Sequence, residues 1–212
     1  MPRDPLNAYS HLAGALMSVV GLVALVVLSR GDPWRVAAFS IYGGSLVLLY
    51  AASSLYHWLG SSDHAMTRLR RFDHAAIFVL IAGTYTPICL ISLGGRWGWS
   101  LFAVVWAMAI AGVGLKMFVE GLPRWSSTAL YLGMGWIAVV AAVPLARSMP
   151  SGGLLWLVVG GLFYTFGAVI YGLKRPDPWP ATLGFHGVFH FFVLAGSGAH
   201  FVCMACYVLP VT

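Results

Sequence analysis

Charge is scarce in this chain. Only 8% of its 212 residues are Asp, Glu, Lys or Arg, where a soluble domain carries about 25%. That shortage excludes a water-soluble enzyme and a disordered tail. Cysteine is scarce too. Cys89, Cys203 and Cys206 are the only three, all inside apolar stretches. An odd count buried in apolar sequence excludes a secreted disulfide scaffold. Cys203 and Cys206 are spaced CxxC, but no second pair completes a zinc site, and packing explains them. There is no low-complexity tract, no polar appendage and no convincing internal repeat. What remains is apolar: 60% of the residues, with a mean hydropathy of +0.85. This composition describes an integral membrane protein, one compact unit over residues 1–212 with little soluble mass.

Apolar runs fall at about 8–29, 34–60, 72–93, 97–119, 127–147, 152–173 and 185–209. Each is near the ~20 residues that a spanning helix needs. The fold class expected is all-α, a polytopic seven-transmembrane helix bundle. Barrel strands would alternate in polarity, and these runs do not. The first run continues to Arg30 without a small-residue cleavage pattern, so a retained first helix is expected rather than a signal peptide. Breaks occur at Gly31-Asp32-Pro33, along a polar loop from Ser61 to Arg71, at Gly94-Gly95-Arg96, over 120–124, over 149–153 and at the proline-rich 174–180. Glycine pairs such as Gly43-Gly44 and Gly160-Gly161 fit close helix packing.

Lys and Arg set the expected topology. Eight of the twelve lie on the side of the N-terminus and four on the other. The positive-inside rule then puts the N-terminus in the cytoplasm and the C-terminus outside. The net charge of +6 suits lipid headgroups at the membrane surface and gives no reason to expect nucleic acid.

Ionisable groups inside a bilayer are costly and mark functional sites. Six of the seven histidines, all but His64 in the polar loop, lie in or at the ends of spans. Asn7 and His11, Ser53 and His57, and His186 and His190 are pairs four apart, each on one helical face. With Asp73 at the start of the third span, all of these fall in one leaflet. Two histidines four apart commonly share a metal ion, and a third from another helix completes a three-histidine site. Zinc held in this way lowers the pKa of its water to about 7. Asp73 could act as the base, with Ser53 assisting. Asn7 and His11 would orient the ligands. Each residue alone has a plainer account: interhelical hydrogen bonding for a histidine, pairing with Arg70 or Arg71 for Asp73, packing for Ser53. It is their convergence that favours the metal site. His200 lies about 21 Å along the helix from His186. It is expected to make an internal hydrogen bond, with Tyr85 or Thr86 as candidate partners, or to form a polar step through the bundle.

In these residues the chain resembles the bacterial hemolysin III-type proteins of the progestin and adipoQ receptor (PAQR) family. The resemblance runs from Asp4 to His200. It rests on Asp4, Asn7 and His11, on Ser53 and His57, on Arg71-Phe72-Asp73-His74-Ala75-Ala76, on Gly83-Thr84-Tyr85-Thr86-Pro87, and on His186 and His190 followed by Phe191 to His200. Asp4 stands where the family usually has Glu. The resemblance implies seven helices with an inward N-terminus in the bacterial plasma (inner) membrane. It implies zinc on His57, His186 and His190, with Asp73 near the metal or its water. The wider superfamily contains alkaline ceramidases, and the bacterial branch is linked to membrane lipid homeostasis. Three functions are then open. The first is a zinc-dependent hydrolase of lipid amide or ester bonds, with Arg70 and Arg71 placed to hold an anionic headgroup. The second is a receptor or membrane-state sensor with structural zinc. The third is a pore-forming (hemolytic) channel. Membrane lipids are the expected substrate or ligand.

Overall fold

The computed structural model describes residues 2–59 and 62–210. Seven helices are long and apolar enough to cross a membrane, and no strand occurs among the described residues. They are α1 (Pro5–Leu28), α2 (Pro33–Trp58), α3 (Asp63–Leu93), α4 (Gly95–Phe118), α5 (Arg124–Ser148), α6 (Ser151–Leu173) and α7 (Gly184–Val208). Local chemistry fixes several ends. Asp32 caps α2 by accepting from the amides of Trp34 (3.0 Å) and Arg35 (3.2 Å), with Pro33 opening the first turn. Gly94 and Gly95, both at positive φ, make the tight turn between α3 and α4.

The stretch expected as a loop up to Arg71 is instead helical from Asp63, and His64 lies exposed on its first turn. Arg68, Leu69, Arg70 and Arg71 are good helix formers, and Asp63 suits the positive end of the helix. A helix leaving the bilayer turns polar without unwinding. Ser61, where the loop was expected to open, and residue 60, where the second span was expected to close, lie outside the described residues.

α3 is the most enclosed helix, followed by α2 and α7. Phe39, Tyr42, Leu49, Tyr50, Phe78 and Leu80 form the centre of one connected core. The outward faces are apolar: Met17 and Val20 on α1, Ile110 on α4, Val140 on α5 and Leu155 on α6 are all exposed. Such surface suits lipid. The chain is a multi-pass membrane protein.

Besides the π stretch that ends α7 over Met204–Val208, two helices depart from regular geometry at prolines. α3 widens to a π turn over Ile88–Leu93, just after Pro87. α5 tightens to a 3₁₀ stretch over Ile137–Ala141 ahead of Pro144, whose ring cannot pack against the carbonyl one turn back. Tyr85 of α3 fills that break. Its hydroxyl donates to Gly135 O at 2.6 Å and accepts from the Ala138 amide at 3.0 Å. Tyr85 is therefore not the partner of His200. Thr86 donates to Ala82 O and accepts from Trp106. His200 binds Leu157 O of α6 at 3.0 Å. The ring fits because a side chain at Gly160 would run into it. Gly43 likewise admits Leu22. Cys203 is buried and Cys206 exposed, both as free thiols.

Candidate metal centre

The site lies where the start of α1, the end of α2 and the start of α7 meet. The turn-wise spacing of His186 and His190 puts both imidazoles on the face of α7 that meets α2. One ligand atom from each of His57, His186 and His190 lies within 4.8 Å of the others. The His57 and His186 Nε2 atoms are 3.2 Å apart. Ring centroids are separated by 5.0 Å for His57 and His186, 4.9 Å for His57 and His190, and 4.6 Å for His186 and His190. Two nitrogens bound tetrahedrally at zinc-like distances stand about 3.3–3.4 Å apart, so the His57–His186 spacing matches one edge of such a site.

The groups around the trio reinforce this. Asp4, just ahead of α1, brings a carboxylate oxygen to 3.2 Å from His57 Nδ1. This leaves Nε2 facing His186. A carboxylate behind a metal-binding imidazole fixes the ring and raises its basicity. Asn7 donates to the same carboxylate at 2.6 Å. Partial burial of Asp4 works against its charge, but the close approach of the His57 imidazole and the hydrogen bond from Asn7 outweigh it, and the carboxyl is held down to about 2. His11 stacks on His190 at 3.6 Å with the planes 11° apart. Both His11 nitrogens, His190 Nδ1 and Asn7 Oδ1 are buried without a hydrogen-bond partner. Buried polar atoms without partners are costly, and a cation among these nitrogens offsets that cost. The residues present fit a metal ion.

Asp73 and Ser53 stand together outside the trio. Asp73 is buried in α3 and Ser53 in α2, with Ser53 close enough to bear on the Asp73 carboxyl. It forms no ion pair with Arg70 or Arg71. Arg71 instead bonds Glu120 at 2.6 Å and Met117 O at 3.1 Å. Arg71 is thus withdrawn from the headgroup role expected of it. Sequence reasoning gave Asp4 no definite role. Its signal was the spacing Asp4, Asn7, His11, which continues one helical face a turn beyond the pair that was noticed.

An apolar cavity of about 390 Å³ opens beside the site, between α3, α5, α6 and α7. It starts at Ile77, Tyr131 and Phe189 and ends at Leu154, Leu157 and His200. Phe189 and His200 are eleven residues apart, so it runs about 16 Å along α7.

The haemolysin-III related family model matches residues 1–201. The chain is 38% identical to the hemolysin-3 homolog of Bacillus subtilis (strain 168) over 209 residues, covering 97% of this chain and 94% of that protein. It is 38% identical to hemolysin-3 of Bacillus cereus over 208 residues, covering 96% and 91%. It is 26% identical to the adiponectin receptor protein of Drosophila melanogaster over 220 residues, covering 92% of this chain and 48% of that longer protein. With the match spanning all seven helices and the three-histidine cluster, the chain belongs to the haemolysin-III related family.

Proposed function

We propose that the protein binds zinc through His57, His186 and His190 and hydrolyses amide or ester bonds of membrane lipids, with the site facing the cytoplasm across the bacterial plasma membrane. The observation that carries this is the set of three converging imidazoles with the Asp4 carboxylate behind one of them. His57, His186 and His190 would hold the ion, and a zinc ion bound there would supply Lewis acidity and lower the pKa of a water toward neutrality. Asp73 takes a proton from the attacking water and returns it to the leaving nitrogen or oxygen. Ser53 orients the Asp73 carboxyl for that transfer. Asp4 and Asn7 hold His57 in its binding orientation. The apolar cavity receives the acyl chain and keeps bulk water from it. The cytoplasmic orientation rests on the excess of Lys and Arg at the face that carries the histidines.

A receptor or sensor with structural zinc is the second reading. The similarity to the adiponectin receptor protein favours it, and it requires a metal with no turnover. The pore reading draws on His200, but the hydrogen bond to Leu157 O already accounts for that residue.

The test is metal content in detergent-purified protein, followed by lipid turnover. About one zinc per chain is expected in the parent, lost in His57→Ala and His190→Ala. Asp73→Asn should keep zinc and lose turnover. Parent protein without zinc overturns the proposal. Full turnover in Asp73→Asn removes Asp73 from the mechanism, and zinc with no turnover of any lipid favours the sensor.

A further inference from the structure

The face of the bundle that carries the histidines also carries cations whose partners are missing. Of the acids there, Asp4 is engaged by His57 and Asn7, Glu120 by Arg71 and Asp177 by the Phe185 amide, while Asp73 is buried in α3 and Asp63 is exposed. Arg70 of α3, Lys116 of α4 and Arg124 of α5 form no ion pair among the described residues. These three come from different helices yet gather at His74. Arg70 lies one turn before His74 on the same face of α3. Lys116 donates its ammonium proton to the Ser127 hydroxyl, one turn beyond Arg124. The Arg124 guanidinium lies over the Tyr171 ring at 4.7 Å and over Phe185 at 5.6 Å. The Tyr171 hydroxyl reaches His74 Nε2 at 3.4 Å, and its ring is 5.7 Å from that of His186.

Three like charges, none of them in an ion pair among the described residues, repel one another, and a bound anion relieves that repulsion. The Arg124 guanidinium is held over two aromatic rings, and a guanidinium can take two oxygens of a phosphate. Arg70 and Arg124 are exposed and Lys116 is half-buried, as suits a headgroup at the bilayer surface. The apolar cavity lies directly beyond. Tyr131 lines it and donates to His74 O at 2.9 Å. A fixed cationic rim over an apolar cavity matches an amphiphile with a phosphate head.

We propose that Arg70, Lys116 and Arg124 form a phosphate-recognition site at the rim of the histidine cluster, and that the lipid presented to that cluster is an anionic phospholipid. This rests on the reading of the cluster as a lipid site, and it narrows the substrate class away from neutral lipids. The test uses the full chain in neutral detergent, titrated separately with short-chain phosphatidylglycerol, short-chain phosphatidylcholine and inorganic phosphate. Phosphatidylglycerol should bind well above the other two and weaken with added salt. Arg70→Gln, Lys116→Gln and Arg124→Gln should each reduce its affinity about fivefold with zinc content unchanged. Arg147→Gln, at the opposite end of α5, should leave it intact. Equal binding of the two lipids, or a preference that survives all three substitutions, overturns the proposal. Inorganic phosphate binding as tightly as phosphatidylglycerol overturns the lipid assignment and leaves a soluble phosphate site. Lipid binding is read apart from turnover, so failure of the hydrolase reading leaves this result standing, and failure here leaves the metal result standing.

Discussion

Removing the Asp4 carboxylate should weaken metal binding without dismantling the bundle. The Asp4 carboxylate reaches the histidine cluster through His57 Nδ1, at 3.2 Å. Its side chain is 34% exposed, and that of His57 is 3% exposed. The carboxylate can therefore be lost at a partly hydrated edge while the buried imidazole stays packed. Partners in this position typically account for about 10- to 100-fold in metal affinity, which is about 1.4–2.7 kcal/mol. Asp4→Ala should fall in that range. Asp4→Asn keeps the shape but loses the charge, and should fall at its lower end. Asp4→Glu restores the carboxylate and should bind most nearly like the parent. Asn7→Ala, which acts only by steadying Asp4, should cost less than Asp4→Ala. The assay is competitive zinc titration against a chromophoric chelator, with helicity checked by circular dichroism. Parent-like affinity in both Asp4→Ala and Asp4→Asn would refute the argument that Asp4 orients His57.

Other outcomes follow from the helix breaks and the charge distribution. Tyr85→Phe strips the hydroxyl from the break in α5 and leaves the Ala138 amide unpaired, so it should destabilise by about 1–3 kcal/mol, read as a lower midpoint of thermal unfolding in detergent. Gly160→Ala drives a methyl group into the His200 ring and should cost about 1–3 kcal/mol. Combined with His200→Ala it should cost much less than the sum of the two single changes, and strict additivity in that cycle would rule out the contact as the cause. Reporter fusions should be cytoplasmic at the N-terminus and external at the C-terminus. The opposite pattern would place the histidine site on the outer face.

The seven helices were legible because each spanning run is long, apolar and bounded by glycine, proline or charge. The start of α3 was not, because Asp63 to Arg71 is helical outside the apolar layer, where hydropathy carries no signal. The break in α5 was not anticipated. The run 127–147 was read as one span although it contains Pro144, and nothing in the sequence said that Tyr85 would fill the break. The gathering of polar residues at one end was legible from spacing and side. The stacking of His11 on His190 was not, since it depends on how closely α1 and α7 approach. Arg71 shows the limit most plainly. Sequence could place it near the headgroups, but only the approach of α3 to Glu120 decides that its charge is already engaged.

The segment ahead of α1 is physically tied to the end of α2. The Asp4 amide donates to His57 O at 3.1 Å and the Arg3 amide to Trp58 O at 3.4 Å, while the Asp4 carboxylate holds the His57 ring from the other side. A tag or partner fused ahead of Arg3 therefore pulls on a short tether that ends at an imidazole of the site. A fusion after α7 hangs from the far end of the bundle, beyond Val208. For anyone purifying this protein, the choice of tagged end is a choice about whether the histidine cluster is left under load.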